Sequence, residues 1–118
     1  MNWIKLVDIA EEHLKIGTFF KFHPCDFFAG EHVIEVIMCL SSSDYAAFEF
    51  FVTAGYESGT RLTFVPINIV DKCDYLEKSW LLENWYRYIY PESNLSDVYV
   101  GRKSSIKKLP IKKVSCEK

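Results

Sequence analysis

The chain has 118 residues, 49% of them apolar and 16% aromatic, enough for one packed core and too few for a second domain. No stretch approaches the roughly 18 apolar residues of a membrane span, and the start lacks a basic segment running into an unbroken apolar one, so a cytoplasmic protein is expected. The formal net charge of −2 hides an asymmetry, because residues 1–101 carry 15 acidic against 7 basic side chains while residues 102–118 carry 1 acidic against 7 basic. An acidic body argues against nucleic acid as its main partner and for a basic protein surface, although many cytosolic proteins are acidic for no such reason. Only the tail offers non-specific attraction to nucleic acid or to another acidic surface.

Taken in order, residues 3–9 read as a first strand of mixed polarity and residues 10–15 as a connector. Residues 17–23 alternate, with Thr18, Phe20 and Phe22 facing one way and Phe19, Lys21 and His23 the other, the pattern of a half-buried strand. Pro24 ends it, and the following loop holds Phe27 and Phe28 between turn formers, where they cap an open end of the core or serve binding. Residues 32–40 are apolar on both faces except at Glu35, which predicts a central strand. A serine-rich turn then leads into residues 46–54, where Phe48, Phe50 and Val52 oppose Glu49, Phe51 and Thr53. Gly55 and Gly59 bound a turn into residues 60–66, and the two runs form the clearest β-hairpin in the chain. Residues 67–72 bridge to a helix, and residues 97–100 make a short last strand.

The helix spans residues 77–90 and is the one long helical pattern. At about 100° of turn per residue, Tyr88, Leu81, Trp85, Ile89 and Leu82 share a continuous arc, the stripe an amphipathic helix buries. Asp74 and Glu77 have the spacing of a capping box, and Pro91 marks the far end. Trp80 falls outside the arc, among Glu77, Glu83, Asn84 and Arg87, so an aromatic is offered on the polar face with the composition of an interaction hot spot. The plainer alternative is that Trp80 is covered by the loop of Phe27 and Phe28 or by the last strand, and that Glu83 and Arg87 form an ordinary helical ion pair. The element order predicts an α+β fold: a curled antiparallel sheet of five to six strands packed on one main helix near residues 75–90, with a small β-barrel as its rival. Residues 1–101 would form the single domain and residues 102–118 a flexible basic tail.

Catalytic chemistry finds little support. Gly55-Tyr-Glu-Ser-Gly59 places its serine one position late for a nucleophile elbow, and the five glycines are too scattered for a phosphate-cradling loop. Cys25, Cys39, Cys73 and Cys116 show neither a paired spacing nor a histidine partner at zinc-finger distance, so no metal, cofactor or disulfide framework is indicated. Glu11, Glu12 and His13 read as a solvated turn, and His23 as a sheet position. Asn94-Leu-Ser96 matches a glycosylation sequon that a cytosolic chain would not use.

Three stretches in this order resemble one bacterial family. They are Gly17-Thr-Phe-Phe-Lys-Phe22, Val52-Thr-Ala-Gly-Tyr-Glu-Ser-Gly59, and Trp80-Leu-Leu-Glu-Asn-Trp85 running through Tyr90 and Pro91 to Asp97-Val-Tyr-Val100. Together they are similar to the immunity protein 45 family over residues 10 to 100, and the last block is the specific one. The resemblance implies a cytosolic, non-enzymatic antitoxin whose partner is a cognate toxin domain; the acidic body adds the expectation that the toxin is a basic nuclease. The expected contacts, Trp80, Glu83, Asn84, Arg87 and Glu77, come from the helix pattern and not from the family. A β-rich module binding a ligand or nucleic acid through the tail and surface aromatics such as Phe19 and Tyr56 is the alternative.

Overall fold

In the strand Ala46–Ala54 (β5), Phe48, Phe50 and Val52 are buried while Glu49, Phe51 and Thr53 are half-buried or exposed, so one alternating segment already defines an inner and an outer sheet face. The computed structural model describes residues 2–23, 33–55, 58–91 and 93–102. The remaining strands are β1 (Ile4–Lys5), β2 (His13–Lys15), β3 (Phe19–Phe22), β4 (Ile34–Leu40), β6 (Arg61–Pro66), β7 (Tyr75–Glu77) and β8 (Tyr99–Gly101). Six of them form an antiparallel sheet in the order β1-β8-β3-β4-β5-β6, and β2 pairs with β7 in a separate two-stranded ribbon. β4 is interior, as its two-sided apolar character requires.

Inner-face residues meet directly across the strands: Phe22 opposite Ile34, Phe20 opposite Val36 and Val100, Val36 opposite Val52, and Met38 opposite Phe50. The register shifts between Glu35 and Val36, Ala46 and Phe48, and Phe50 and Phe51. Such irregularities bend a strand and increase its twist, which curls this sheet. It stays open, with β1 and β6 as its edges, so the barrel alternative is set aside. At the β5–β6 turn Gly55 has φ 106°, and a Cβ there would lie 2.5 Å from the Val33 carbonyl oxygen. Glycine is required on both counts.

Against the inner face lies α1 (Lys78–Asn84), continued by a π-helical turn over Trp85–Ile89 to give one helix of 12 residues. Seven residues of α-helix are too few to be stable alone, so burial of Leu81, Trp85 and Ile89 holds it in place, each contributing up to about 1.5–3 kcal/mol. Trp85 is the largest fully buried side chain. Its ring centre is 5.7 Å from that of Phe20 and 5.4 Å from that of Phe22, the latter edge-on, and its Nε1 donates to Ser93 Oγ at 2.9 Å.

Several expectations need correction. Only Ile4 and Lys5 of residues 3–9 are strand, because Leu6 and Ile9 both reach the core, a spacing of three that suits the 3-10 turn at Leu6–Asp8 and not an extended chain. The connector at 10–15 contains β2, whose three residues carry too little alternation to announce a strand. Asp74 and Glu77 make no capping box, since Tyr75–Glu77 is extended and paired with β2. The sequon asparagine has a structural role, its Oδ1 accepting from the amide of Ser96 in a short 3-10 turn. Phe27, Phe28, Tyr56 and the tail beyond Arg102 lie outside the described residues.

Candidate partner-binding site

Where β6 ends at Pro66, the chain turns through residues 67–72 and returns as β7, and α1 begins directly after it. Lys78 N donates to the Glu12 carbonyl at 2.7 Å and Ser79 N to Glu12 Oε2 at 3.0 Å, so the first helical amides are satisfied from a distant segment. These bonds from Ser79, aided by the nearby Lys78 charge, hold the Glu12 carboxyl below the ordinary glutamate range. Glu12, which the sequence presents as part of a solvated turn, is the cap that Asp74 and Glu77 do not supply.

This crossing of β7 and α1 leaves a cleft of about 340 Å³ lined by Val70, Asp71, Cys73, Tyr75, Leu76, Glu77 and Trp80. Leu76 is buried and forms part of the core. Tyr75 is half-buried and braced by His13, whose ring stacks on it at 4.0 Å with planes 19° apart. The Cys73 thiol donates to the Tyr75 carbonyl at 3.0 Å. Trp80 is half-buried, packs against the core and leans on Tyr88 with ring centres 5.6 Å apart. The π-helical turn favours that neighbour: an i→i+5 turn takes one residue more than an α-turn, so Tyr88, within it, falls behind the α-helical wheel and comes round toward the side of Trp80.

The charges of the cleft are unbalanced. Among the described residues, neither Asp71 nor Glu77 has a side-chain hydrogen bond or ion pair. The lysines nearest them in sequence are engaged elsewhere, Lys72 Nζ donating to the Ser43 carbonyl at 3.0 Å and Lys78 Nζ to the Ile9 carbonyl at 2.7 Å. Lys15, opposite Tyr75 in the ribbon, is the other base nearby. A second cluster, on the outer face of the sheet, is by contrast internally matched. There Arg61 Nη1 lies 3.3 Å from Glu49 Oε2, donates to the Tyr45 hydroxyl at 3.2 Å, and its guanidinium sits 4.8 Å from the centre of the Phe64 ring.

Of the residues expected to make contacts, Trp80 and Glu77 therefore share the cleft. Asn84 is turned to its own helix, its Nδ2 donating to the Trp80 carbonyl at 2.9 Å. Glu83 and Arg87 are both exposed, and among the described residues they form no ion pair; Arg87 lies over Tyr88 at 5.9 Å instead. Val70, Asp71, Cys73 and Tyr75 carry no mark in the sequence, because residues 67–75 have no periodicity. The signal available was composition: two aromatics and four acids, Asp71, Asp74, Glu77 and Glu83, crowd residues 71–83.

Nothing in this arrangement pairs a nucleophile with a base. Among the described residues, no group of three or more His, Cys, Asp or Glu side chains is placed to hold a metal ion, and no helix is long and apolar enough to cross a membrane. A family model described as immunity protein 45 matches residues 10–100. Comparison with curated proteins and with solved structures gave no match.

Proposed function

The chain belongs to the immunity protein 45 family, and on that premise we propose that it neutralises one cognate bacterial toxin domain by stoichiometric occlusion in the cytosol of the producing cell. The toxin surface it covers is basic, as a nuclease surface would be. The observation carrying this reading is the cleft beside Trp80, in which Asp71 and Glu77 have no cation among the described residues. Carboxylates left without partners on a half-buried aromatic wall are suited to a partner that brings the positive charge. Glu83 and Arg87 extend the contact along the exposed face of the helix.

The partner is sought in the neighbouring gene, as a large protein with a variable C-terminal toxin domain. Titrating purified toxin activity with this protein should reach full inhibition at a one-to-one ratio. Co-expression with Trp80→Ala or Glu83→Lys variants should lower protection at least tenfold, and folded variants that protect fully would remove those residues from the interface. Deleting residues 102–118 should leave inhibition intact. Salt-sensitive nucleic-acid binding that vanishes with the same deletion, in a chain that inhibits nothing, would favour the β-rich binding module.

A further inference from the structure

We propose that the cleft between β7 and α1 is a socket for a single arginine side chain projected by the toxin, an inference that rests on the immunity reading and gives it a specific contact. Volume comes first. At about 340 Å³ the cleft lies at the lower end of the roughly 300–1,000 Å³ that small ligands occupy, which suits one long side chain and is too small for a helix. Its walls come next. Tyr75 and Trp80, both half-buried, belong to its lining, and each packs on a second ring, His13 at 4.0 Å and Tyr88 at 5.6 Å. Aromatic side chains held in this way favour a planar cation, which can stack on a ring and is more weakly hydrated than an ammonium.

The carboxylates complete the fit. Asp71 and Glu77, both in the lining, accept hydrogen bonds only, and the guanidinium fork donates five, so two carboxylates match an arginine better than the point charge of a lysine. Lys72 and Lys78, which could have neutralised them from within the chain, are bonded to the carbonyls of Ser43 and Ile9. Lys15, opposite Tyr75, forms no ion pair with either carboxylate among the described residues, so the cation that fills the cleft is assigned to the partner. The internally paired cluster of Arg61, Glu49, Tyr45 and Phe64 has no such vacancy in its charge balance.

The probes are N-acetyl-arginine amide and its neutral isostere N-acetyl-citrulline amide, with N-acetyl-lysine amide as the third arm, titrated into the isotope-labelled full chain and followed by nuclear magnetic resonance. The arginine compound should produce saturable shifts at the Trp80 indole and at Tyr75 and Glu77, with citrulline and lysine binding at least fivefold more weakly. The Asp71→Asn, Glu77→Gln double variant should weaken arginine binding at least fivefold while leaving the unfolding midpoint unchanged, since both side chains are exposed. Equal binding of citrulline or lysine, shifts confined to other surfaces, or no saturation would each overturn the socket. If the probe fails while the protein still neutralises the neighbouring toxin, the socket is lost and the immunity reading stands. If arginine seats as expected and no neighbouring toxin is neutralised, it is the immunity reading that is lost.

Discussion

Trp85 joins helix to sheet, and its environment sets the cost of changing it. Replacing it with alanine removes the stack on Phe20 and Phe22 and leaves a large cavity, so a loss of about 3–5 kcal/mol in urea unfolding is expected. Ser93→Ala keeps the ring and orphans its buried indole N–H, a smaller loss of about 1–3 kcal/mol by the same measurement. Gly55→Ala is predicted to cost about 1–3 kcal/mol, because the residue holds a positive φ and its Cβ would collide with the Val33 carbonyl. Among thiols, burial and the charge of Glu49 raise the pKa of Cys39, whereas Cys73 is exposed beside the cleft. Alkylation near neutral pH, followed by mass spectrometry, should therefore modify Cys73 well before Cys39, and bound toxin should slow the reaction at Cys73.

The helix unites a stripe set by local sequence with a start set by a distant residue. Its buried stripe was legible at Leu81, Trp85 and Ile89, because a period of 3.6 residues over three turns is a strong local signal. Its beginning was not, since the cap comes from Glu12 and a capping rule inspects only neighbouring residues. Glu12→Gln should thus destabilise the fold near neutral pH by weakening the bond to Ser79 N and removing an anion from the helix start. The sign follows from the depressed pKa of Glu12: its contribution is fully present above the unfolded-state pKa and is lost as pH falls through the lower folded value. Acid titration of both proteins should show their stabilities converging at low pH, and a difference independent of pH would show that the charge has no part in the cap. Glu11, depressed by its bond to Arg102 at 2.8 Å, follows the same sign.

At the scale of the whole molecule, the six-stranded sheet is covered on one face by the helix, and residues 1–101 carry a balance of −8. A body of that charge meeting a basic toxin should associate by electrostatic steering. Raising ionic strength from about 0.05 to 0.5 M is predicted to slow association on the order of tenfold, with a much smaller effect on dissociation, as measured by stopped-flow fluorescence. An association rate indifferent to salt would count against a basic partner. Removing residues 102–118 deletes the Arg102–Glu11 pair, which is exposed on both sides, so the unfolding midpoint should hardly move.

The sequence by itself determined the α+β class, the central strand, the hairpin, the buried helical stripe and the family. Each is written in short-range periodicity or in contiguous motifs, which need no knowledge of distant neighbours. Tertiary structure alone decided the pairing of β2 with β7, the capping of α1 by Glu12, and the openness of the sheet, because each depends on residues far apart meeting in space. It also decided the cleft. Trp80 and Glu77 were visible in the helical pattern, but Asp71 and Tyr75 joined them only when the chain folded back from Pro66, and only the folded chain directs Lys72 and Lys78 to the carbonyls of Ser43 and Ile9.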